Sequence, residues 1–270
     1  MRTNYHTHCT WCDGKDDPEA IVAKAIELGF CELGFSSHAM LPEDELDWVL
    51  RPGNILDYAR EIRALASKYA SRLRILCGVE ADYVQGGANP DRKTYSVIQP
   101  DYIIGSVHFA VSADGRRVPV DHTPELLARG IDECFGGSAE DLVRAYFRQQ
   151  RQMVQSFDFD VVGHPDLIRK FNTLHPFFDE SAQWYIDELE QSAEVFAKSG
   201  KIVEVNTGAI ARGWLDDAYP SGLFRTMLRE RGVRFIFGSD AHLAETLDGS
   251  FDRFGSCESF LRALPLTKGA

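Results

Sequence analysis

Short runs of aliphatic and β-branched residues alternate along this chain with longer stretches whose apolar positions recur at helical spacing. Seven runs predict strands, at residues 2–5, 31–36, 73–79, 102–107, 158–162, 202–205 and 234–237. They read Leu-Arg-Ile-Leu-Cys-Gly-Val or Tyr-Ile-Ile-Gly-Ser-Val, as strands covered on both faces do. Between them, Asp17-Pro18-Glu19 sets an N-cap before a proline at N1 and opens a helix that Gly29 closes. Residues 54–71 follow the helical period, and Ser138-Ala-Glu-Asp141 starts another helix with Asp in place of the usual Glu of a capping box. Residues 181–199 end at Gly200, and 221–231 end at Gly232. Strands separated by helices, without repeat or low-complexity linker, imply one α/β domain over 1–270 with a parallel sheet. A closed (β/α)7 barrel and an open doubly wound sheet both satisfy the pattern. Three connections, 39–54, 82–100 and 109–137, are long for an α/β unit and are expected to cover a site.

The composition is that of a globular protein, 44% hydrophobic and 26% charged over 270 residues. No membrane span and no signal peptide is expected, and a cytoplasmic location follows. The six cysteines (Cys9, Cys12, Cys31, Cys77, Cys134, Cys257) are too sparse for a disulfide framework and are expected to be reduced. Cys9 and Cys12 form a C-x-x-C without a second pair, and read as two thiols beside a more important cluster. The net charge of −12 weighs against nucleic acid and anionic membranes as partners, and at face value against a phosphorylated substrate.

The histidines change that picture. Of eight, six fall immediately beyond a predicted strand: His6 and His8, His38, His108, His164 and His242. The third strand is followed by Glu80, the seventh also by Asp240, and Asp13 lies just past the first histidine pair. Core histidines would not gather at one end of every strand. The pattern is a ring of imidazoles and carboxylates at the C-terminal mouth of a barrel, where barrel active sites are built. Neutral imidazole with carboxylate suits borderline divalent metals, and zinc, manganese and iron all accept such sites. The groups are too many for one tetrahedral ion and suffice for two or three. His122 and His175 lie outside the ring, His122 being a weak candidate for substrate contact.

Seven segments in order carry a family resemblance: Tyr5-His-Thr-His, Cys12-Asp-Gly-Lys, Gly34-Phe-Ser-Ser-His38, Gly78-Val-Glu-Ala-Asp-Tyr, Ile104-Gly-Ser-Val-His, Gly163-His-Pro-Asp-Leu-Ile-Arg-Lys-Phe and Gly238-Ser-Asp-Ala-His. The chain resembles the PHP (polymerase and histidinol phosphatase) family, and more closely its histidinol-phosphate phosphatase branch. The resemblance implies a distorted (β/α)7 TIM-like barrel and three divalent metal ions. By position, His6, His8, Glu80 and Asp240 would hold the first ion. Glu80, His108 and His164 would hold the second, with Glu80 bridging, and Asp13, His38 and His242 the third. Arg169 and Arg212 match the family's phosphate-contacting arginines, with Lys170 a weaker candidate.

The implied reaction is hydrolysis of a phosphate monoester by metal-bridging hydroxide, with L-histidinol phosphate as substrate and a place in histidine biosynthesis. Asp240, Glu80 and His242 are expected to serve catalysis as well as ligation, Asp240 or a nearby histidine being the candidate proton donor. Glu43, Asp44, Asp47, Trp48, Asp82 and Tyr83 are available to read the amine and imidazole of that substrate. The alternatives are a related phosphoesterase acting on nucleotides, short oligonucleotides or phosphotyrosine, and a non-catalytic metal-binding module. No heptad or large apolar face stands out, so a monomer is expected. Three dications would turn the mouth positive while the rest of the surface stays acidic, which favours a small, compact phosphate ester.

Overall fold

The computed structural model describes residues 2–40 and 46–254. Its strands are β1 (Thr3–Asn4), β2 (Glu32–Phe35), β3 (His38–Ala39), β4 (Arg74–Asp82), β5 (Tyr102–Ser106), β6 (Phe109–Val111), β7 (Arg117–Pro119), β8 (Val161–Val162), β9 (Ile202–Asn206) and β10 (Phe235–Gly238). The order β1-β2-β4-β5-β8-β9-β10 is parallel throughout, and β3 continues β2 along β4 in the same register, with Phe35 opposite Cys77 and His38 opposite Glu80. The ring closes where the chain after β1 runs beside the end of β10. There Tyr5 N donates to Phe237 O (3.3 Å), Asp240 N to His6 O (2.9 Å) and His8 N to Ala241 O (2.9 Å). The seven predicted strands are thus the staves of a nearly closed barrel rather than an open sheet.

The barrel interior is narrow. Tyr5, Leu76, Tyr102, Ile104, Val161, Ile202 and Ile236 fill it as one buried cluster. The Tyr102 ring lies flat against Gly34 and Gly78, where any Cβ would overlap it, and its hydroxyl donates to Tyr5 O (2.5 Å). Side chains two apart on a strand share a face. The inward row therefore runs from Leu76 to Gly78 and Glu80, from Ile104 to Ser106 and His108, from Ile202 to Glu204, and from Ile236 to Gly238 and Asp240. Apolar residues fill the lower layer of this row, and polar groups stand at the mouth.

The outward faces of the strands pack under α1 (Pro18–Glu27), α2 (Ile55–Lys68), α3 (Pro124–Phe135), α4 (Ala139–Ser156), α5 (Gln183–Ser199), α6 (Gly208–Ala211) and α7 (Gly222–Glu230). Their ends follow local chemistry. Asp17 and Ser138 accept from Ala20 N and Asp141 N as N-caps, and Gly200 closes α5 in the left-handed conformation. The long connection 109–137 holds the β6–β7 hairpin and α3. Among the described residues no helix is long and apolar enough to cross a membrane. The described cysteines, Cys9, Cys12, Cys31, Cys77 and Cys134, are all free, while Cys257 lies outside the described residues.

Candidate metal centre

The mouth of the barrel brings together all nine residues of the histidine–carboxylate ring. Their ligand atoms form four overlapping groups, each within 4.8 Å: His6, His8 and Asp240; His6, Glu80 and His164; His38, Glu80 and His108; and His8, Asp13, His38 and His242. The partition differs in detail from the expected one. His8 joins the Asp13, His38 and His242 group, and His164 and His108 fall in separate groups with His6 and His38, although both turn Nε2 to the same Glu80 oxygen, Oε1, at 2.7 and 3.6 Å.

Glu80 is the centre of the arrangement and is buried. Its Oε1 accepts from Ser106 Oγ (2.6 Å) and lies 2.7 Å from His164 Nε2, and its Oε2 lies 2.8 Å from His38 Nδ1 and 3.1 Å from His6 Nε2. Burial works to raise its carboxyl pKa, but His6, His38 and His108 hold it well below the usual range. Asp240 has a left-handed backbone, φ 52°, that aims Oδ1 at His8 Nε2 (3.1 Å). Arg212 clamps it, with Nη1 on its carbonyl oxygen (3.0 Å) and Nη2 on Oδ2 (2.9 Å). Burial again opposes, yet Arg212 and His6 keep this carboxyl far below the ordinary carboxylate value.

A cation fits this donor set on independent grounds. His6 Nε2, His8 Nε2, Asp13 Oδ1, His38 Nδ1, Glu80 Oε2 and His164 Nδ1 are buried without a hydrogen-bond partner. Unpaired buried polar atoms are costly, and five of these six converge on the same small space in lone-pair-donor chemistry. Behind the forward-facing nitrogens stands a second row of groups. Glu204 Oε2 holds His6 Nδ1 (2.8 Å), Asp82 Oδ1 holds His108 Nδ1 (2.6 Å) and the Cys12 thiol faces His8 Nδ1 (3.5 Å). Such partners set the tautomer and orientation of ligating imidazoles. Burial lowers the His108 pKa, but Asp82 and Glu80 carry it up to about 10. Burial and the neighbouring His242 and His38 push His8 down to about 3.

Glu204 is not among the residues expected at the site. Its signal is a carboxylate inside the apolar run Ile-Val-Glu-Val-Asn.

Above the ring opens a cavity of about 670 Å³. Asp13, His38, His108, His164, Asp240 and His242 form its floor, with His6, His8 and Glu80 buried beneath. Asp47, Trp48, Phe109, Asp121, His122, Lys170 and Arg212 stand around its wall. The long connections 39–54 and 109–137 therefore do reach the site, whereas 82–100 does not contribute to this lining. Asp82 is used on His108, and Tyr83 packs on the Phe157 ring at 5.5 Å, so neither faces the cavity. Glu43 and Asp44 lie outside the described residues.

The two arginines part company. Arg212 reaches the cavity, but Arg169 does not line it: the guanidinium is nearly buried, with Nε on Glu180 Oε2 (3.1 Å) and Nη1 on Ala218 O (3.4 Å). Its neighbour Lys170 takes the wall position, Nζ donating to Asp121 O (2.7 Å). His175 lies away from the centre, its ring stacked on Phe177. A larger surface groove of about 880 Å³ between α4 and α5 has no histidine or cysteine in its lining and offers none of this chemistry.

A parallel seven-stranded barrel whose mouth gathers overlapping histidine–carboxylate groups under a small cavity defines a class, the (β/α)7 barrels with a candidate polynuclear metal centre. Comparison with known proteins narrows it. The PHP domain family profile matches residues 4–208, and the chain belongs to that family. A Deinococcus radiodurans protein named a probable histidinol-phosphatase is 30% identical over 242 residues, 88% of this chain and 85% of that one. The histidinol-phosphatase of Bacillus subtilis is 24% identical over 265 residues, 92% of this chain and 96% of that one. Among solved structures, a Listeria monocytogenes chain put forward as a histidinol phosphatase matches with TM-score 0.82 at 24% identity, over 94% of this chain and 100% of that one. The histidinol phosphate phosphatase of Lactococcus lactis, solved with zinc, L-histidinol and phosphate, matches with TM-score 0.65 at 18% identity, over 93% and 91%. These structural likenesses establish the shared fold.

Proposed function

We propose that this protein is a metal-dependent phosphomonoesterase that hydrolyses L-histidinol phosphate to L-histidinol and phosphate. The observation that carries the reading is the composition of one small cavity. Its floor is a cation-binding ring, and its wall holds Arg212 and Lys170 together with Asp47 and Asp121. That mixture suits a compact ester with a phosphate at one end and positive charge at the other, and the names of the curated relatives support it.

The nine-residue ring would hold up to three ions, of zinc, manganese or iron. When bound, such ions supply Lewis acidity that activates water at neutral pH and neutralises charge on the phosphoryl oxygens. The chain's own groups orient the rest. Arg212 and Lys170 donate hydrogen bonds to phosphate oxygens from the wall. Trp48, edge-on to His38 with ring centres 4.9 Å apart, closes one side against water. Asp240 stays ionised under Arg212, which leaves a histidine rather than this carboxyl to protonate the departing alkoxide. His242 is not that donor, since its Nδ1 is tied to Asp240 O (2.9 Å) and its Nε2, toward Asp13, is the nitrogen it would give a cation. His122 is the histidine of the cavity wall that lies outside the ring. We take the protein to act as a cytoplasmic monomer with no nucleic-acid partner.

The test is kcat/KM of the metal-loaded protein on histidinol phosphate, mononucleotides and phosphotyrosine. Histidinol phosphate is expected to lead by at least tenfold. A lead by phosphotyrosine or a nucleotide would move the protein to another phosphoesterase activity of the family. Fewer than two tightly bound ions together with no hydrolysis of any ester would refute an enzymatic role.

A further inference from the structure

A histidine that ligates through one ring nitrogen needs its other nitrogen held from behind. His6 and His108 are held by the carboxylates of Glu204 and Asp82, and His242 by the carbonyl of Asp240. His8 is different. Its rear nitrogen, Nδ1, faces the Cys12 thiol, with Sγ at 3.5 Å. Its forward nitrogen, Nε2, lies 3.1 Å from Asp240 Oδ1 and 3.6 Å from Glu80 Oε2, buried and without a hydrogen bond.

We propose that Cys12 is a positioning residue for the metal centre: its sulfur accepts the Nδ1 proton of His8 and so leaves the Nε2 lone pair free for a cation. The proton arrangement is consistent, because Sγ also lies 3.5 Å from Cys9 O. The thiol hydrogen goes to that carbonyl, and a sulfur lone pair is left for the imidazole N–H. Packing alone would not select this state. The His8 ring stacks on that of His38 and on that of His242, each at 4.2 Å. Stacking fixes the ring plane but is blind to a half-turn about the Cβ–Cγ bond, which would put carbon where each nitrogen stands. The thiol distinguishes the two orientations.

The loop is built to bring that thiol in. Cys12 N donates to Cys9 O (3.0 Å) to close a tight turn, and Gly14 follows where any Cβ would overlap the backbone of His8 and Cys9. The Cys9 side chain, by contrast, points to Ser37 Oγ (3.5 Å) and packs into the apolar core. The two thiols of the C-x-x-C therefore have separate tasks, one in the core and one behind a ligand.

This inference rests on His8 acting as a ligand, as proposed above, and its test separates the two. Metal-free wild-type chain, Cys12→Ala and Cys12→Ser are titrated with zinc against a chromophoric chelator. The alanine variant is expected to bind one ion about 10- to 100-fold more weakly, the range for loss of a group that orients a ligand. Serine, which keeps a donor–acceptor at nearly the same place, is expected to recover most of the loss. Wild-type affinity in the alanine variant, or equal losses in both variants, would overturn the role of Cys12. Failure of the wild type to bind zinc would overturn the metal-centre reading itself. A second measurement needs no variant: the imidazole nitrogen spectrum of zinc-loaded wild-type protein is expected to show His8 protonated at Nδ1. Protonation at Nε2 would refute the proposal.

Discussion

Glu204→Gln keeps the shape of a buried side chain and changes only its charge and one donor–acceptor assignment, so its cost can be worked out from the contacts. Glu204 accepts three hydrogen bonds or their equivalent: Oε2 lies 2.8 Å from His6 Nδ1, and Oε1 takes His164 N (2.7 Å) and Asn206 Nδ2 (2.9 Å). All three partners present N–H when His6 faces the metal site with Nε2. A glutamine has one oxygen and one NH2. Placing the oxygen toward His6 sets the NH2 against His164 N–H and the Asn206 amide. Turning the amide over satisfies those two and opposes His6 instead. Flipping Asn206 offers no escape, since its Oδ1 already accepts from Gly208 N (2.9 Å). At least one buried donor is left opposed in either state, at about 1–3 kcal/mol. Loss of the carboxylate behind His6 should weaken metal binding a further 10- to 100-fold, about 1.4–2.8 kcal/mol. The assays are urea unfolding of the metal-free protein and zinc affinity of the folded one. A lower urea midpoint and weaker zinc binding are expected together. A variant with wild-type values of both would refute the reading of Glu204 as the anchor of His6.

Arg169→Ala should chiefly cost stability, about 1–3 kcal/mol by thermal or urea unfolding, because it removes the hydrogen bonds to Glu180 Oε2 and Ala218 O and takes a cation from the neighbourhood of buried Asp166. A raised KM with unchanged stability would instead return Arg169 to the phosphate site. Arg212→Ala is expected to raise KM for a phosphate ester and also to lower metal occupancy, since the same guanidinium holds both the carbonyl and the carboxylate of Asp240. Wild-type metal content by elemental analysis would refute the second half of that expectation. In the metal-free protein, His108 with its pKa lifted to about 10 stabilises fully below about pH 6.5, and that contribution is lost as pH rises through 10. Zinc loading at pH 7 should therefore release protons, with apparent affinity rising about tenfold per pH unit for each proton displaced. An indicator titration in weak buffer that shows no release would contradict protonated, paired imidazoles in the metal-free state.

What the amino-acid pattern makes legible here is set by how local the cause is. A strand end that carries His, Glu or Asp is visible one strand at a time, so every member of the ring could be found before any contact was known. The hairpin and helix inside 109–137 also have local signals. Asp114-Gly115 is a turn between two short apolar runs, Gly115 has φ 85°, and Thr123-Pro124-Glu125 repeats the helix-opening chemistry of Asp17-Pro18-Glu19. Other features have no local cause. Arg169 and Lys170 are neighbours in one turn of 3-10 helix and point to different places, one to Glu180 and one to the cavity wall. The second row of groups behind the ligands depends on which strand lies beside which. Asp82 on β4 meets His108 after the neighbouring β5, whereas Glu204 on β9 meets His6 after β1 only once the barrel closes.

The same second row bears on how an acidic protein would attract a dianionic ester. Arg212 and Lys170, the cations on the cavity wall, are each already engaged, Arg212 with Asp240 and Lys170 with Asp121. Paired in this way they offer direction to a phosphate through their remaining N–H groups but little net charge. The attraction must come from the ring, whose three carboxylates (Asp13, Glu80 and Asp240) would be outweighed by two or three dications. The neutral partners in the second row, the Cys12 thiol and the Asp240 carbonyl, then matter as much as the charged ones. A carboxylate behind every histidine would cancel the field that the centre needs, whereas thiol and carbonyl orient His8 and His242 without adding charge. An overall charge of −12 and an attractive phosphate site are compatible because they arise in different places. The surface carries the first, and the floor of one 670 Å³ cavity would carry the second.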